Sequence, residues 1–303
     1  MAGTSKLLGL FCVLSSAVNA ARGPGEFHYG AAFGSPFNVA TDCNDINLIS
    51  PELLMNWGPD NRNDATINVC GNSNIKFMPT LWGRDFDNPQ LSALPNSPKP
   101  FGVFLENEPN WFGAYSPDHG VGCNLTAQQC ATRYYTETNI INQKFGVGVV
   151  KLFTPSPVNP TYPKCTAPGQ YGCTYEDQIA WFRDYFAACP NCLHDAWAIN
   201  HHEYSCNLAT TQANIQRLWS NFGNKNVFVG ELGCDGPSPD VQAQYLRDFV
   251  AWAYTQQYVV GFIWAGLNYV GSQGAQLTSN GQLTAVGQAF KQIQQQYPPK
   301  LTA

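Results

Sequence analysis

Charge is scarce in this chain: of 303 residues only 12% are charged, with 16 Lys and Arg against 21 Asp and Glu and a formal net charge of −5. No run of basic residues occurs, so capture of a nucleic-acid backbone or an anionic membrane surface has no electrostatic footprint. Long apolar runs are missing as well. The stretch from Leu7 to Val18 falls short of the roughly 20 residues that span a bilayer, and no later segment does better. There is no internal repeat, no low-complexity tract, no Gly-rich phosphate loop and no GxSxG nucleophile elbow. The partner these absences leave is a neutral molecule.

What is present in quantity is aromatic side chain, 13% of residues, with 27 Gly and 21 Pro. That mixture describes a large, well-cored globular protein and excludes a long coiled coil. Lys6, the apolar stretch after it and the small residue closing Val18-Asn19-Ala20 read as a signal peptide over 1–20, leaving 21–303 as the mature chain. Cys12 leaves with it. Ten cysteines remain: Cys43, Cys70, Cys123, Cys130, Cys165, Cys173, Cys189, Cys192, Cys206 and Cys234. An even number spread widely in an exported chain favours disulfides over a zinc site. Cys123 with Cys130 and Cys165 with Cys173 are the expected close pairs. The one CxxC, Cys189 to Cys192, reads as structural rather than redox-active. Asn124-Leu125-Thr126 is a glycosylation sequon in a surface loop. The ending QQQYPPKLTA has no apolar tail for a lipid anchor. A secreted, extracellular or wall-associated monomer is expected.

Short apolar runs alternate with helical spacing. Strands are predicted near 27–34, 53–57, 75–82, 102–107, 149–154, 195–201, 227–232 and 259–264, and helices over 126–144, 175–188, 210–221 and 239–256. Repeated βα units with no linker fit a single α/β domain of the (β/α)8 TIM barrel type, stabilised by disulfides. A doubly wound open sheet competes, but no GxGxxG follows the first strand. In the barrel, active sites lie at the C-terminal ends of the strands. The polar residues there are Asn56, Trp57, Trp82, Glu106, Asn107, Glu108, His201, His202, Glu203, Tyr204, Glu231 and Trp264.

Glu108 follows the buried-type run Val103 to Leu105 and precedes Pro109; Glu231 ends Val227 to Gly230, and Gly233 lets the backbone turn. Cleavage of a glycosidic bond needs one carboxyl to protonate the leaving oxygen and a second, ionised one to meet the anomeric carbon. Asn107 beside Glu108 can bond a sugar hydroxyl. Trp57, Trp82, Trp111 and Trp264 supply flat faces that suit pyranose rings. Glu106, two positions before Glu108, either raises the proton affinity of Glu108 or pairs with an arginine such as Arg84. A metal reading of His201, His202 and Glu203 is disfavoured, because neighbours on a strand face opposite ways.

These residues resemble a known family. Asn107-Glu108-Pro109, Met78-Pro79-Thr80-Leu81-Trp82-Gly83, Asn56-Trp57-Gly58, Thr154-Pro155-Ser156-Pro157, Phe186 to Tyr204 and Gly230-Glu231-Leu232-Gly233 are similar, in order, to glycoside hydrolase family 128, the fungal-type endo-β-1,3-glucanases of clan A. The resemblance spans about 27–290. It implies Glu108 as acid/base, Glu231 as nucleophile of a retaining reaction, Asn107, His202 and Tyr204 as substrate-binding, Trp82 and Trp264 as floor of the cleft, β-glucan as substrate, and no cofactor or metal. Gly230, Leu232 and Glu203 depart from the family pattern. Two rival readings are a glucan-binding barrel without turnover and a clan A hydrolase of another wall glycan.

Overall fold

Each of the eight apolar runs holds a strand in the computed structural model, which describes residues 25–34, 39–58, 70–71, 74–81, 91, 94–112, 122–123, 125–158, 173–174, 177–234, 236–268 and 275–300. The strands are β1 His28–Ala32, β2 Leu53–Asn56, β3 Lys76–Pro79, β4 Gly102–Phe104, β6 Lys151–Phe153, β8 Ile199–Glu203, β9 Val227–Leu232 and β10 Val259–Trp264. Six form one parallel sheet in the order β3-β2-β1-β10-β9-β8, and β4 pairs in parallel with β6. Single parallel bridges, Thr80 with Phe104 and Phe153 with Ala198, connect that pair to the two ends of the larger sheet. The result is an α/β fold with a mostly parallel centre. Two short antiparallel pairs stand apart from it: β5 Trp111–Phe112 with β7 Cys173–Thr174, and β11 Thr278–Ser279 with β12 Gln282–Leu283.

The strands read as continuous apolar runs because both faces are covered. Leu53, Met55, Met78, Phe104, Phe153, Phe228 and Ile263 pack together on one face. Their alternates, Leu54, Phe77, Val103, Leu152, Val229 and Phe262, pack on the other against the helices.

The helices are α1 Val39–Ile49, α2 Ala127–Phe145, α3 Gln178–Ala188, α4 Cys192–Asp195, α5 Leu208–Asn221, α6 Pro239–Ala253 and α7 Ala285–Gln296. The start of α2 is fixed by Thr126 and Gln129, each side chain taking a hydrogen bond from the other's backbone N–H. Helices α1 and α7 were not predicted. For α7 the signal existed: Thr284 caps Gly287 N, and Val286, Ala289, Phe290 and Ile293 share a buried face. The run predicted as a strand from 195 begins only at Ile199, because Cys192–Asp195 is a helical turn.

Disulfides join Cys43 to Cys70, Cys189 to Cys192 and Cys206 to Cys234. The expected Cys123–Cys130 bond is not formed. Both are buried thiols, and Cys123 Sγ turns instead to Asn107 O at 2.7 Å. The other expected pair involves Cys165, and both Cys165 and the sequon's Asn124 lie outside the described residues, as does 1–20. No described helix is long and apolar enough to cross a membrane.

Candidate active site

Glu231 sits on β9, one residue before the strand's end, and is 4% exposed. Its Oε1 accepts from Trp57 Nε1 at 2.5 Å, and its Oε2 accepts from Tyr204 Oη at 2.6 Å. Both donors follow strands of the same sheet, β2 and β8, so parallel register brings them to one level. Tyr204 gains its place from Gly233: a Cβ there would come within 2.8 Å of the tyrosine ring. That close approach, rather than turn strain, is why residue 233 is glycine. At Gly230 a Cβ would meet Asn200 Oδ1 at 2.1 Å, so a larger residue here would displace the Asn200 side chain.

Glu108 is 5% exposed and lies past the end of β4. Its φ of 44° is in the left-handed region, a conformation costing about 1–3 kcal/mol in a non-glycine residue and recurrent at functional positions. The surrounding chain holds it there. Trp111 N donates to Glu108 O, Leu125 N to Pro109 O, and Cys123 N to Asn107 O. Asn107, 3% exposed, forms a parallel bridge with Ser156.

His202 joins the two acids. Its Nδ1 is 3.0 Å from Glu108 Oε1 and 3.5 Å from Glu231 Oε2. Burial works against the charge on this imidazole, but attraction to Glu231 and the Glu108 hydrogen bond outweigh it and raise its pKa. One ligand-type atom from each of Glu108, His202 and Glu231 lies within 4.8 Å of the others. Such a trio has donors of the kind cations take. Here, however, indole and phenol hydrogens already occupy the Glu231 oxygens.

The neighbours of His202 turn away, as alternation requires. His201 has no exposed surface and lies against Gln178 Nε2 at 3.1 Å and Glu203 Oε2 at 3.4 Å. Glu203 also accepts from Asn214 Nδ2 and Ser205 N. Desolvation raises its pKa, yet the hydrogen bonds from His201, Asn214 and Ser205 bring it down to about 2. Glu203 is therefore an anchored anion behind the site.

The tryptophans divide. Trp57 is half-buried and acts through its N–H, a role the sequence reading missed by treating it as a ring platform. Trp264 has no exposed surface and donates to Ala275 O at 2.7 Å, so it backs the site and offers no open face. Trp111 is half-buried in the β5–β7 pair. Trp82 and Arg84 lie outside the described residues. Glu106 is fully buried beside Glu137 of α2.

Fold and site together describe an α/β protein that sets two glutamates across a shared histidine at the C-terminal ends of parallel strands. The chain belongs to the glycosyl hydrolase catalytic core family, whose model matches residues 35–290. No curated protein matches it. Solved structures share its fold, and several belong to family 128, in keeping with the motifs. A GH128 (subgroup II) endo-β-1,3-glucanase from Sorangium cellulosum is similar at 20% identity and TM-score 0.66, over 87% of this chain and 97% of that one. A GH128 (subgroup III) curdlan-specific exo-β-1,3-glucanase from Blastomyces gilchristii aligns at 19% and 0.59, over 89% and 99%. A GH128 (subgroup VII) oligosaccharide-binding protein from Cryptococcus neoformans aligns at 16% and 0.63, over 92% and 98%.

Proposed function

We propose that this chain is a secreted β-1,3-glucan hydrolase on a closed (β/α)8 barrel, acting within the polymer by a retaining mechanism. The two bridges that join β4 and β6 to the ends of the six-stranded sheet support closure. Three disulfides among the described residues support an oxidising compartment.

One observation carries the chemistry: oxygens of Glu108 and Glu231 approach within 4.8 Å from separate strands. Retaining glycosidases hold their carboxyls about 5–5.5 Å apart, whereas inverting ones need about 6.5–9.5 Å for an intervening water. In this reading Glu231 attacks the anomeric carbon while Glu108 gives its proton to the departing glycosidic oxygen, leaving a glycosyl ester on Glu231. Glu108, now ionised, takes a proton from water, which attacks the same carbon and releases Glu231. Trp57 and Tyr204 hold the Glu231 oxygens in line, and Asn107 bonds the hydroxyl next to the reacting carbon. No cofactor is required.

Incubation with laminari-oligosaccharides, with Glu231→Gln as control, tests the proposal; absence of product from wild type across pH and β-glucans defeats it. A second reading, oligosaccharide binding without turnover, is favoured by the likeness to the Cryptococcus neoformans binding protein. Saturable binding without product selects it. The presence of both glutamates beside one histidine supports hydrolysis, since binding alone has no need of the pair.

A further inference from the structure

Behind Asn107 and Glu108 lies a second pair of acids to which the reaction gives no part. Glu106 follows β4 and Glu137 projects from the middle of α2; neither has any exposed surface. None of their four carboxylate oxygens makes a geometrically sound hydrogen bond to another group. The hydrogen-bonding side chain that each faces is the other's.

Among the described residues the cation close to both is Arg133, one turn before Glu137 on α2. The other titratable neighbours among the described residues are the thiols of Cys123 and Cys130 and the phenol of Tyr185. All three are pushed upward by burial, so they stay neutral and bring no positive charge. Two ionised carboxylates would leave one buried negative charge uncompensated, a state far costlier than keeping a proton. Burial raises both acids, and the charge of Glu106 adds to it at Glu137; a backbone hydrogen bond at Glu106 and the Arg133 charge oppose.

We infer that Glu106 and Glu137 share a buried proton, and that this protonated pair holds the end of β4 against α2 and so positions Asn107 and Glu108. The proton serves as the bond between a strand end and the helix covering it. Its loss at alkaline pH drives the two elements apart directly beneath the acid. Glu137 is a positioning residue on this view. The claim leans on the proposed hydrolysis only in naming what is positioned.

The sign follows from linkage. An acid raised in the folded state keeps its proton after the unfolded chain has lost it. Stability is therefore greatest below the ordinary carboxylate range and declines as pH rises through the raised values, each retained proton shifting the unfolding equilibrium about tenfold per pH unit. Wild-type melting temperature should fall between pH 5 and 9. Glu137→Gln, which mimics the protonated acid and donates to Glu106, should flatten that fall and move the alkaline limb of kcat/KM upward. Glu137→Ala should melt lower at every pH. Infrared difference spectra near neutral pH, wild type minus Glu137→Gln or wild type minus Glu106→Gln, should show the C=O stretch of a buried carboxylic acid, the contribution of Glu108 being common to all three proteins and cancelling. Difference spectra of both glutamine variants without that band, or a Glu137→Gln protein with the wild-type pH dependence of melting, overturn the inference. Melting and infrared need no substrate, so an inactive wild type defeats the hydrolase reading and leaves this one standing.

Discussion

Tyr204 Oη donates to Glu231 Oε2 at 2.6 Å, bridging the chain just past β8 to the side chain near the end of β9. With Trp57 Nε1 on the other oxygen, Glu231 has one neutral donor on each lone-pair side. A carboxylate so held cannot rotate freely, and its charge is shared before substrate arrives. Preorganisation of this kind is where enzymes draw much of their rate.

Removing either carboxylate should separate the two roles. Glu231→Gln should lower kcat on laminari-oligosaccharides by roughly 10³-fold or more, since no acceptor for the sugar remains. Glu108→Gln should be comparably damaged on oligosaccharides yet much less so on aryl glucosides with good leaving groups, which need little proton assistance in the first step. Equal losses on both substrates would reverse or refute the assignment.

Loss of the donors should affect the chemical step more than binding. Tyr204→Phe and Trp57→Phe each delete one hydrogen bond to a charged group, a contact of about 1.5–3 kcal/mol, which corresponds to roughly 10–150-fold in kcat. Steady-state kinetics should show kcat falling while KM moves little.

The Cys206–Cys234 disulfide ties the segments that carry Tyr204 and Glu231, helped by the Ser205–Cys234 bridge and the Gly233 N to Glu203 O hydrogen bond. The paired Cys206→Ser, Cys234→Ser variant should lose about 2–4 kcal/mol in chemical denaturation. Its activity at temperatures well below melting should also fall, because Tyr204 loses its fixed approach to Glu231.

His202 has a raised pKa, so its protonated form adds stability that is complete below the ordinary imidazole value and lost as pH rises through the raised one. Melting curves of His202→Gln across pH 5.5 to 8.5 should lack this component.

Glu203 behaves oppositely. Held down to about 2, it adds stability above the ordinary carboxylate range that disappears as pH falls toward that value. Glu203→Gln should destabilise the protein near neutral pH by about 1.5–3 kcal/mol, the worth of hydrogen bonds to a charge. The gap from wild type should narrow near pH 2.5, as urea denaturation at the two pH values would reveal.

Much of this was legible in the residues. Eight apolar runs at βα spacing are eight strands, and the long helix opening at the Thr126 cap is where its periodicity put it. Asn107-Glu108-Pro109 and Gly230-Glu231-Leu232-Gly233 marked the two acids. Local pattern suffices there because strand alternation and helix capping are set by near neighbours. The pairing of thiols was not legible: Cys123 and Cys130 are seven positions apart, but the first faces a backbone carbonyl. Nor was the office of Trp57, whose N–H finds an acceptor 174 residues away.

The sequence by itself determined which segments alternate between strand and helix and which carboxylates stand at strand ends. Only the tertiary structure decided what each polar group touches: that Glu106 meets Glu137 and has Arg133 as its nearby cation, that Trp264 is sealed behind the site, and that His202 lies between the two acids. Such contacts join residues far apart along the chain. Their cost or benefit depends on desolvation, which no residue has until the strands and helices close around it.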